Sequence, residues 1–214
     1  MSEIYRIVER NYDNVDLEFH DSYDTAQEYA AVFKPFLDAL GGGAGVLVVG
    51  GSVSECRNFV ERGHKVTNVD ISEMMVRHVA ENLPTVTSVH ANVTNWSGGP
   101  FDVVWACRSL IHIPPGDLVS TLAHIGSLLR SQAAYGFVFF EGDQPVEEQQ
   151  LPEMHATADD VGYYRVLYSR NELESRMAQA GFTAPRATRM ADKDGDSSLC
   201  FVGGSYPKRP FRSA

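Results

Sequence analysis

The stretch Val46-Leu-Val-Val-Gly-Gly-Ser-Val-Ser-Glu55, with Lys65-Val-Thr-Asn-Val-Asp-Ile-Ser72 after it, decides the fold. An apolar run reaches a glycine turn, a short amphipathic segment follows, and a second apolar run ends in Asp70, twenty residues after Gly50. That order is a βαβ unit with a close-approach turn after its first strand and a carboxylate after its second. Both features fall at one edge of a parallel sheet and suit a nucleoside, with backbone against the ligand at the turn and Asp70 on the ribose hydroxyls.

Outward from this unit the alternation continues. Strand 46–50 leads to helix 54–62, ended by Gly63, with Cys56, Phe59 and Val60 facing in. Strand 65–70 leads to helix 73–83, whose stripe of Met75, Val76, Val79, Ala80 and Leu83 stops at Pro84. A weaker strand covers 85–90, and Phe101-Asp-Val-Val-Trp-Ala-Cys107 is a buried one. Helix 117–130 presents Leu118, Leu122, Ile125 and Leu129 on one face, and the apolar run Tyr135–Glu141 reads as a central strand. After Glu141 the alternation lapses into a polar insertion, 142–168, that reads as a lid. Ser169-x-x-Glu172 is a capping box opening a helix that Gly181 closes, and strands 183–189 and 198–204 pair as an antiparallel hairpin.

Upstream, residues 1–24 read as a short helix and a loop carrying Tyr5, Tyr12, Phe19 and Tyr23. A helix starts at Asp24 with Gln27 three residues on, buries Tyr29, Phe33, Phe36 and Leu40, and kinks or restarts at Pro35. The whole is an α/β fold, a doubly wound, mostly parallel seven-stranded sheet with a C-terminal antiparallel hairpin. Residues 1–40 form an N-terminal helical lid or cap, and 41–214 the main domain.

At 214 residues, 43% hydrophobic and 21% charged, the chain is long enough to bury a continuous core in one domain. A formal net charge of −10 argues against sequence-independent nucleic-acid binding. Cys56, Cys107 and Cys200 show no close pairing and read as reduced thiols of a cytoplasmic protein. No apolar run has membrane-spanning length, and the polar start Met1-Ser-Glu-Ile-Tyr5 does not read as a signal peptide. The Asp192/Asp194/Asp196 run lacks the turn glycine position and final Glu of an EF-hand, and no His-Glu-x-x-His or paired-Cys spacing supports a metal. Gly-x-Ser-x-Gly, the nucleophile elbow, is absent.

The order of elements resembles the class I S-adenosylmethionine-dependent methyltransferases over residues 20–204, and is most similar to small members acting on small molecules. The residues that carry the resemblance are Gly50, Asp70, Asn92, Phe101-Asp102, Leu110-Ile-His112 and the helix end Ala180-Gly-Phe182. The chain departs from the family pattern at four places. Ser52 and Ser54 stand where the second and third glycines fall, Val48 where the first strand has an acid, and Asn92 where the third strand is followed by Asp. Leu129-Arg-Ser-Gln-Ala-Ala-Tyr-Gly136 replaces a Leu-x-Pro-Gly-Gly turn. These changes leave the topology intact and bear on cofactor affinity. A left-handed Ser52 would cost about 1–2 kcal/mol, roughly tenfold in binding.

The resemblance implies S-adenosylmethionine as cofactor and S-adenosylhomocysteine as product. Gly50, Gly51 and Ser52 would bring backbone N–H groups and a helix N-terminus to the cofactor's carboxylate tail. Asp70 would hold the ribose, Ile71 would pack on adenine, and Asn92 beside Val93 would meet the adenine amino group. Cys107 and Arg108 are implied beside the tail, with Arg108 also suited to an acceptor carboxylate, and His112 at the acceptor border as general base. Tyr12, Tyr23, Tyr29, Tyr163 and Tyr164 would form an aromatic lid, and Glu141 and Asp143 point to the acceptor side.

The implied reaction is methyl transfer to an O or N atom of a small-molecule acceptor, without nucleic acid or membrane partners, by a monomer or homodimer. Two other readings use the same sheet edge. One is a methyltransferase-fold protein that binds the cofactor for a different reaction; the other is a non-catalytic nucleoside-binding module. A nicotinamide-dependent oxidoreductase is disfavoured, because Gly50, Ser52 and the residues after them do not make Gly-x-Gly-x-x-Gly.

Overall fold

The computed structural model describes residues 2–22, 25–143, 146–150, 163–182, 186–191 and 197–204. Four helices come first: α1 (Glu3–Asp13), α2 (Leu17–Ser22), α3 (Thr25–Glu28) and α4 (Ala30–Asp38). The alternating core follows as β1 (Gly45–Val49), α5 (Val53–Val60), β2 (Lys65–Asp70), α6 (Glu73–Asn82), β3 (Thr87–His90) and β4 (Phe101–Cys107). A 3-10 turn, Leu110–His112, leads to α7 (Pro115–Ser127) and β5 (Leu129–Phe140). The last elements are β6 (Val146–Gln150), β7 (Tyr163–Leu167), α8 (Arg170–Gln179), β8 (Arg186–Ala191) and β9 (Ser197–Gly204).

Seven strands form one sheet in the order β3-β2-β1-β4-β5-β9-β8. β1 to β5 run parallel, and β9 is antiparallel to both β5 and β8. The expected doubly wound sheet with an antiparallel C-terminal pair is therefore present. The chain leaves β1 toward β2 and returns to β4 on the other side, so the direction of winding reverses between β1 and β4. A sheet with that reversal opens a crevice at the carboxyl ends of those two strands.

Side-chain alternation in β1 divides the core. Leu47 and Val49 join Val104, Ala106, Leu118, Leu122, Ile125 and Phe137 on one face. Val46 and Val48 join Phe33, Phe36, Cys56, Phe59, Val103 and Trp105 on the other. Because both faces are covered, β1 reads as an unbroken apolar run.

The N-terminal segment is more helical than its sequence pattern indicates. α1 buries only Tyr5, Val8 and Asn11, a thin apolar face, and polar contacts complete its docking. Tyr5 donates to Asp117 at the start of α7 at 2.9 Å, and Glu9 lies 3.7 Å from His90. The expected restart at Pro35 occurs instead at Tyr29, between α3 and α4, with Pro35 inside α4. The break lets Tyr29 turn fully into the core, where its hydroxyl is 3.1 Å from Ser198 Oγ.

β5 starts six residues before the expected strand. Phe101 and Val103 pair with Leu129 and Ala134, so a bulge absorbs the residues that lack the Leu-x-Pro-Gly-Gly turn, with Gln132 at φ 65°. The insertion after Glu141 contributes a two-stranded ribbon in which β6 and β7 pair antiparallel. The loop 192–196 lies outside the described residues, as does Tyr23.

Candidate active site

The turn after β1 is shaped by its neighbours. Gly50 sits at φ 60°, and a Cβ there would come 2.6 Å from Ser109 Cβ. Ser109 donates to the Val49 carbonyl at 2.6 Å, so the turns after β1 and β4 press together. Only glycine gives both the positive φ and that approach. At Gly51 a Cβ would strike Val48 Cγ1 at 2.1 Å, and the Gly51 N–H donates to Asn68 Oδ1 at 3.1 Å.

Ser52 carries no left-handed strain. It lies at φ −74° and ψ 165° as the N-cap of α5. Its Oγ accepts from the Glu55 N–H at 3.2 Å while Glu55 Oε2 accepts from the Ser52 N–H at 2.9 Å, a complete capping box. Glu55 Oε1 also accepts from Trp105 Nε1 at 2.7 Å. Burial pushes the Glu55 carboxyl up, and the Ser52 and Trp105 donors oppose that. The Ser52 N–H at the start of α5, expected to face a ligand carboxylate, is thus held by the chain's own.

Asn68 and Glu55 escaped the sequence reading, although both left signals. Ser52-x-x-Glu55 is a capping-box spacing, and Asn68 interrupts an apolar strand. In register, Val48 lies between Asn68 and Trp105. Those two side chains supply the polar support that Val48, in place of an acid, does not: Asn68 directly, Trp105 through Glu55.

Asp70 ends β2. Its Oδ1 accepts from the Ser72 N–H at 2.8 Å, and burial pushes its pKa up to about 6, with the Asp13 charge adding to the rise. Asp13 comes from the end of α1, another residue the sequence did not single out. Its Oδ1 accepts from Ser72 Oγ at 2.7 Å and the Met74 N–H at 3.2 Å, capping α6 from outside. Ile71 packs against the core cluster that buries Val93. Asn92 closes its own turn, its Oδ1 accepting from the Thr94 N–H at 3.0 Å.

Beyond β4, Cys107 is buried and its thiol is pushed well up by that burial. Arg108 takes a left-handed backbone at φ 53°. Its Nη2 lies 2.6 Å from Glu28 Oε2, and its guanidinium sits over the rings of Tyr29 and Phe140 at 5.2 and 5.4 Å. His112 is buried in the 3-10 turn, with Nδ1 2.6 Å from the Tyr164 carbonyl and Nε2 2.9 Å from Tyr12 Oη. A carbonyl only accepts, so Nδ1 carries the proton and Nε2 accepts from the Tyr12 hydroxyl. Burial lowers the His112 pKa to about 4.

The structure therefore brings Tyr12, His112 and Tyr164 together. Tyr163 pairs through β7 with Gln150. Glu141 turns toward the β8–β9 edge, where it binds Arg189 through both oxygens and accepts from Ser197 Oγ at 2.6 Å. Asp143 is exposed.

Residues 46–132 match the family described as a methyltransferase domain, a span running from β1 into β5 and holding Gly50, Asp70, Asn92 and His112. Over that span the chain is similar to methyltransferase domains. No curated protein matches the sequence. Solved structures with this fold include a Burkholderia thailandensis 1,6-didemethyltoxoflavin-N1-methyltransferase with bound 1,6-didemethyltoxoflavin and S-adenosylhomocysteine. It is 23% identical, with 94% of this chain and 88% of that chain covered at a TM-score of 0.66. A Methanosarcina mazei S-adenosylmethionine-dependent methyltransferase is 13% identical over 80% of this chain and 96% of that one, at 0.63. The Synechocystis magnesium protoporphyrin IX methyltransferase with bound S-adenosylhomocysteine is 16% identical over 87% and 83%, at 0.59. At these identities the likenesses show the fold. The carboxyl ends of the parallel strands β1, β2 and β4 carry the turn, Asp70, and Arg108 with His112, along one edge of the sheet.

Proposed function

We propose that the protein transfers the methyl group of S-adenosylmethionine to a nitrogen or oxygen atom of a small-molecule acceptor, releasing S-adenosylhomocysteine. The observation that carries this reading is the company Asp70 keeps. Burial at the end of β2 pushes the Asp70 carboxyl up to about 6 although the Ser72 N–H already donates to it, and two ribose hydroxyls would add donors to its charged form. Apolar Ile71 and Val93 stand at the ends of β2 and β3, where a flat base would lie against them. The bound cofactor supplies an already activated methyl group on a sulfonium, so alignment and exclusion of water account for most of the acceleration.

The chain's own contribution is then to orient the acceptor. Tyr12 and His112 stand on the acceptor side, joined at 2.9 Å. With a pKa of about 4, His112 would hold a proton at pH 7 only at a cost of about 4 kcal/mol. In this geometry it fixes the Tyr12 hydroxyl rather than storing the acceptor's proton. That division of labour favours an acceptor nitrogen, whose lone pair needs no base during attack. Cys56, Cys107 and Cys200 are free and buried, as suits a reducing, cytoplasmic setting. No described helix is long and apolar enough to cross a membrane.

Calorimetry against S-adenosylmethionine, S-adenosylhomocysteine and NAD in parallel tests the reading. Binding of both adenosyl ligands and not of NAD is the expected result, followed by S-adenosylhomocysteine release with small amine and hydroxyl acceptors. Binding of NAD in preference would overturn it.

A further inference from the structure

We infer that Arg165 of β7 sets acceptor specificity, its guanidinium binding a carboxylate or other oxyanion on the molecule to be methylated. The inference deepens the methyl-transfer reading and rests on it, and it assigns a role to a residue that no motif marks.

Four observations lead there. First, Arg165 stands beside the residues already placed on the acceptor side. It follows Tyr164, whose carbonyl lies 2.6 Å from His112 Nδ1, and His112 Nε2 is 2.9 Å from Tyr12 Oη. Its charge is felt at the imidazole, where it opposes protonation. Second, strand alternation separates it from the core. Tyr164, Val166 and Tyr168 are buried, whereas Arg165 lies on the opposite face of β7 and is half-buried. A partly shielded charge attracts an anion more strongly than a fully solvated one. Third, Phe140 holds the guanidinium in place. The Arg165 Cζ lies 4.8 Å from the centre of that ring, at the end of β5, and the Arg108 Cζ lies 5.4 Å from it. An aromatic face orients a guanidinium without consuming its N–H donors. Two cations gathered on one ring repel; Glu28 eases that at Arg108 across 2.6 Å, and an acceptor anion would ease it further. Fourth, the carboxylate best placed to repel an anion is turned away. Glu141 follows Phe140, yet it binds Arg189 through both oxygens and accepts from Ser197 Oγ at the β8–β9 edge.

The arrangement offers two points of recognition. The Tyr12 oxygen, which donates to His112, has lone pairs that can accept from an acceptor N–H, and Arg165 has a planar fork of donors that matches a carboxylate. An amine carrying an oxyanion meets both.

The test compares acceptors that differ only in that group: glycine, glycinamide and aminomethylphosphonate, then 4-aminobenzoate, 4-aminobenzamide and 4-aminophenylphosphonate. S-adenosylhomocysteine release is followed on the full chain, after S-adenosylmethionine binding has been measured by calorimetry. In the unaltered protein an acid or phosphonate should have a kcat/KM about tenfold or more above that of its amide, the worth of a charge-assisted hydrogen-bonded pair. The phosphonate arm tells which oxyanion is preferred. Arg165→Gln should erase the preference, chiefly through the KM of the anionic acceptor, and leave S-adenosylmethionine affinity unmoved. Arg165→Lys keeps the charge without the fork and should retain part of the preference. Equal or better turnover of the amides overturns the inference without any variant, and so does donor binding with turnover of no anionic member. An equal loss on acid and amide in Arg165→Gln also overturns it, marking the residue as structural. Should Arg165→Gln not fold, the acid and amide compared in the unaltered protein and in Arg165→Lys decide. If S-adenosylmethionine does not bind, the donor reading fails and this inference with it; if it binds while amides are favoured, only the acceptor assignment fails.

Discussion

The Tyr12 hydroxyl donates to His112 Nε2 across 2.9 Å, joining α1 to the turn after β4. On the other side of the ring, Nδ1 meets the Tyr164 carbonyl at 2.6 Å, so three separate segments fix one imidazole. Both ring nitrogens are satisfied and the ring is buried, which holds it neutral. His112 thereby becomes the joint between the N-terminal helix, the sheet rim and the β6–β7 ribbon.

Tyr12→Phe removes the donor and leaves a buried acceptor unsatisfied. A stability loss of about 1–3 kcal/mol is expected, read from urea unfolding. Methyl transfer should fall about tenfold or more, within the range of positioned proton-transfer groups, while donor affinity stays within about twofold by calorimetry. His112→Ala should likewise lower turnover more than donor binding. A larger effect of either change on donor binding would remove the pair from the acceptor side.

Asp70→Ala should weaken S-adenosylmethionine binding by about 1–3 kcal/mol, the worth of hydrogen bonds to a partly buried carboxylate. Unchanged calorimetric affinity would count directly against its place on the ribose.

Asp70 and His112 should pull the pH dependence of stability in opposite directions. Asp70 titrates near 3.8 when unfolded and about 6 when folded, so the folded state binds more protons between those values. Its contribution is therefore unfavourable at neutral pH, by about 3 kcal/mol at most, and the penalty disappears as pH falls toward 4. His112 falls from 6.5 to about 4 on folding, so the folded state binds fewer protons. Stability held above pH 6.5 is lost as pH falls through that window, by a similar amount. In thermal melts without ligand, Asp70→Asn should gain stability over the parent at pH 7 and lose that gain near pH 4. His112→Asn should flatten the acid loss instead. Parallel pH profiles for the two variants would contradict both assignments.

Glu55 ties the turn to the sheet through Ser52 and Trp105. Glu55→Ala strands the buried Ser52 N–H and Trp105 Nε1–H, so a loss of about 2–5 kcal/mol is expected, measured by chemical denaturation. Ser54→Ala, in the same helix, has no role in that box and should change stability by less than about 0.5 kcal/mol.

Gly50→Ala meets two obstacles, a left-handed backbone costing about 1–2 kcal/mol and the 2.6 Å approach to Ser109 Cβ. Ser109→Gly in the same chain should recover the second part and leave the first. Absence of any recovery in melting temperature would mean the strain lies elsewhere.

Sequence periodicity was sufficient for the core. Unbroken apolar runs at Val46–Val49 and Phe101–Cys107, helices ended by Gly63 and Pro84, and Asp70 at a strand end are local signals, and local geometry obeys them. α1 was less legible, since polar contacts to distant residues complete its docking.

What the chain's order of residues determined by itself is the doubly wound sheet, its glycine turn and the rim of strand ends beside it, because those follow from alternation, breakers and strand ends. Tertiary structure alone decided which polar groups meet there. Glu28 with Arg108, Asp13 with Ser72, Tyr12 with His112 and Asn68 with Gly51 are pairs separated by 17 to 100 residues. No spacing rule encodes such pairs, for each depends on where packing of the apolar faces sets the helices down, and only then does a charge or hydroxyl find its partner.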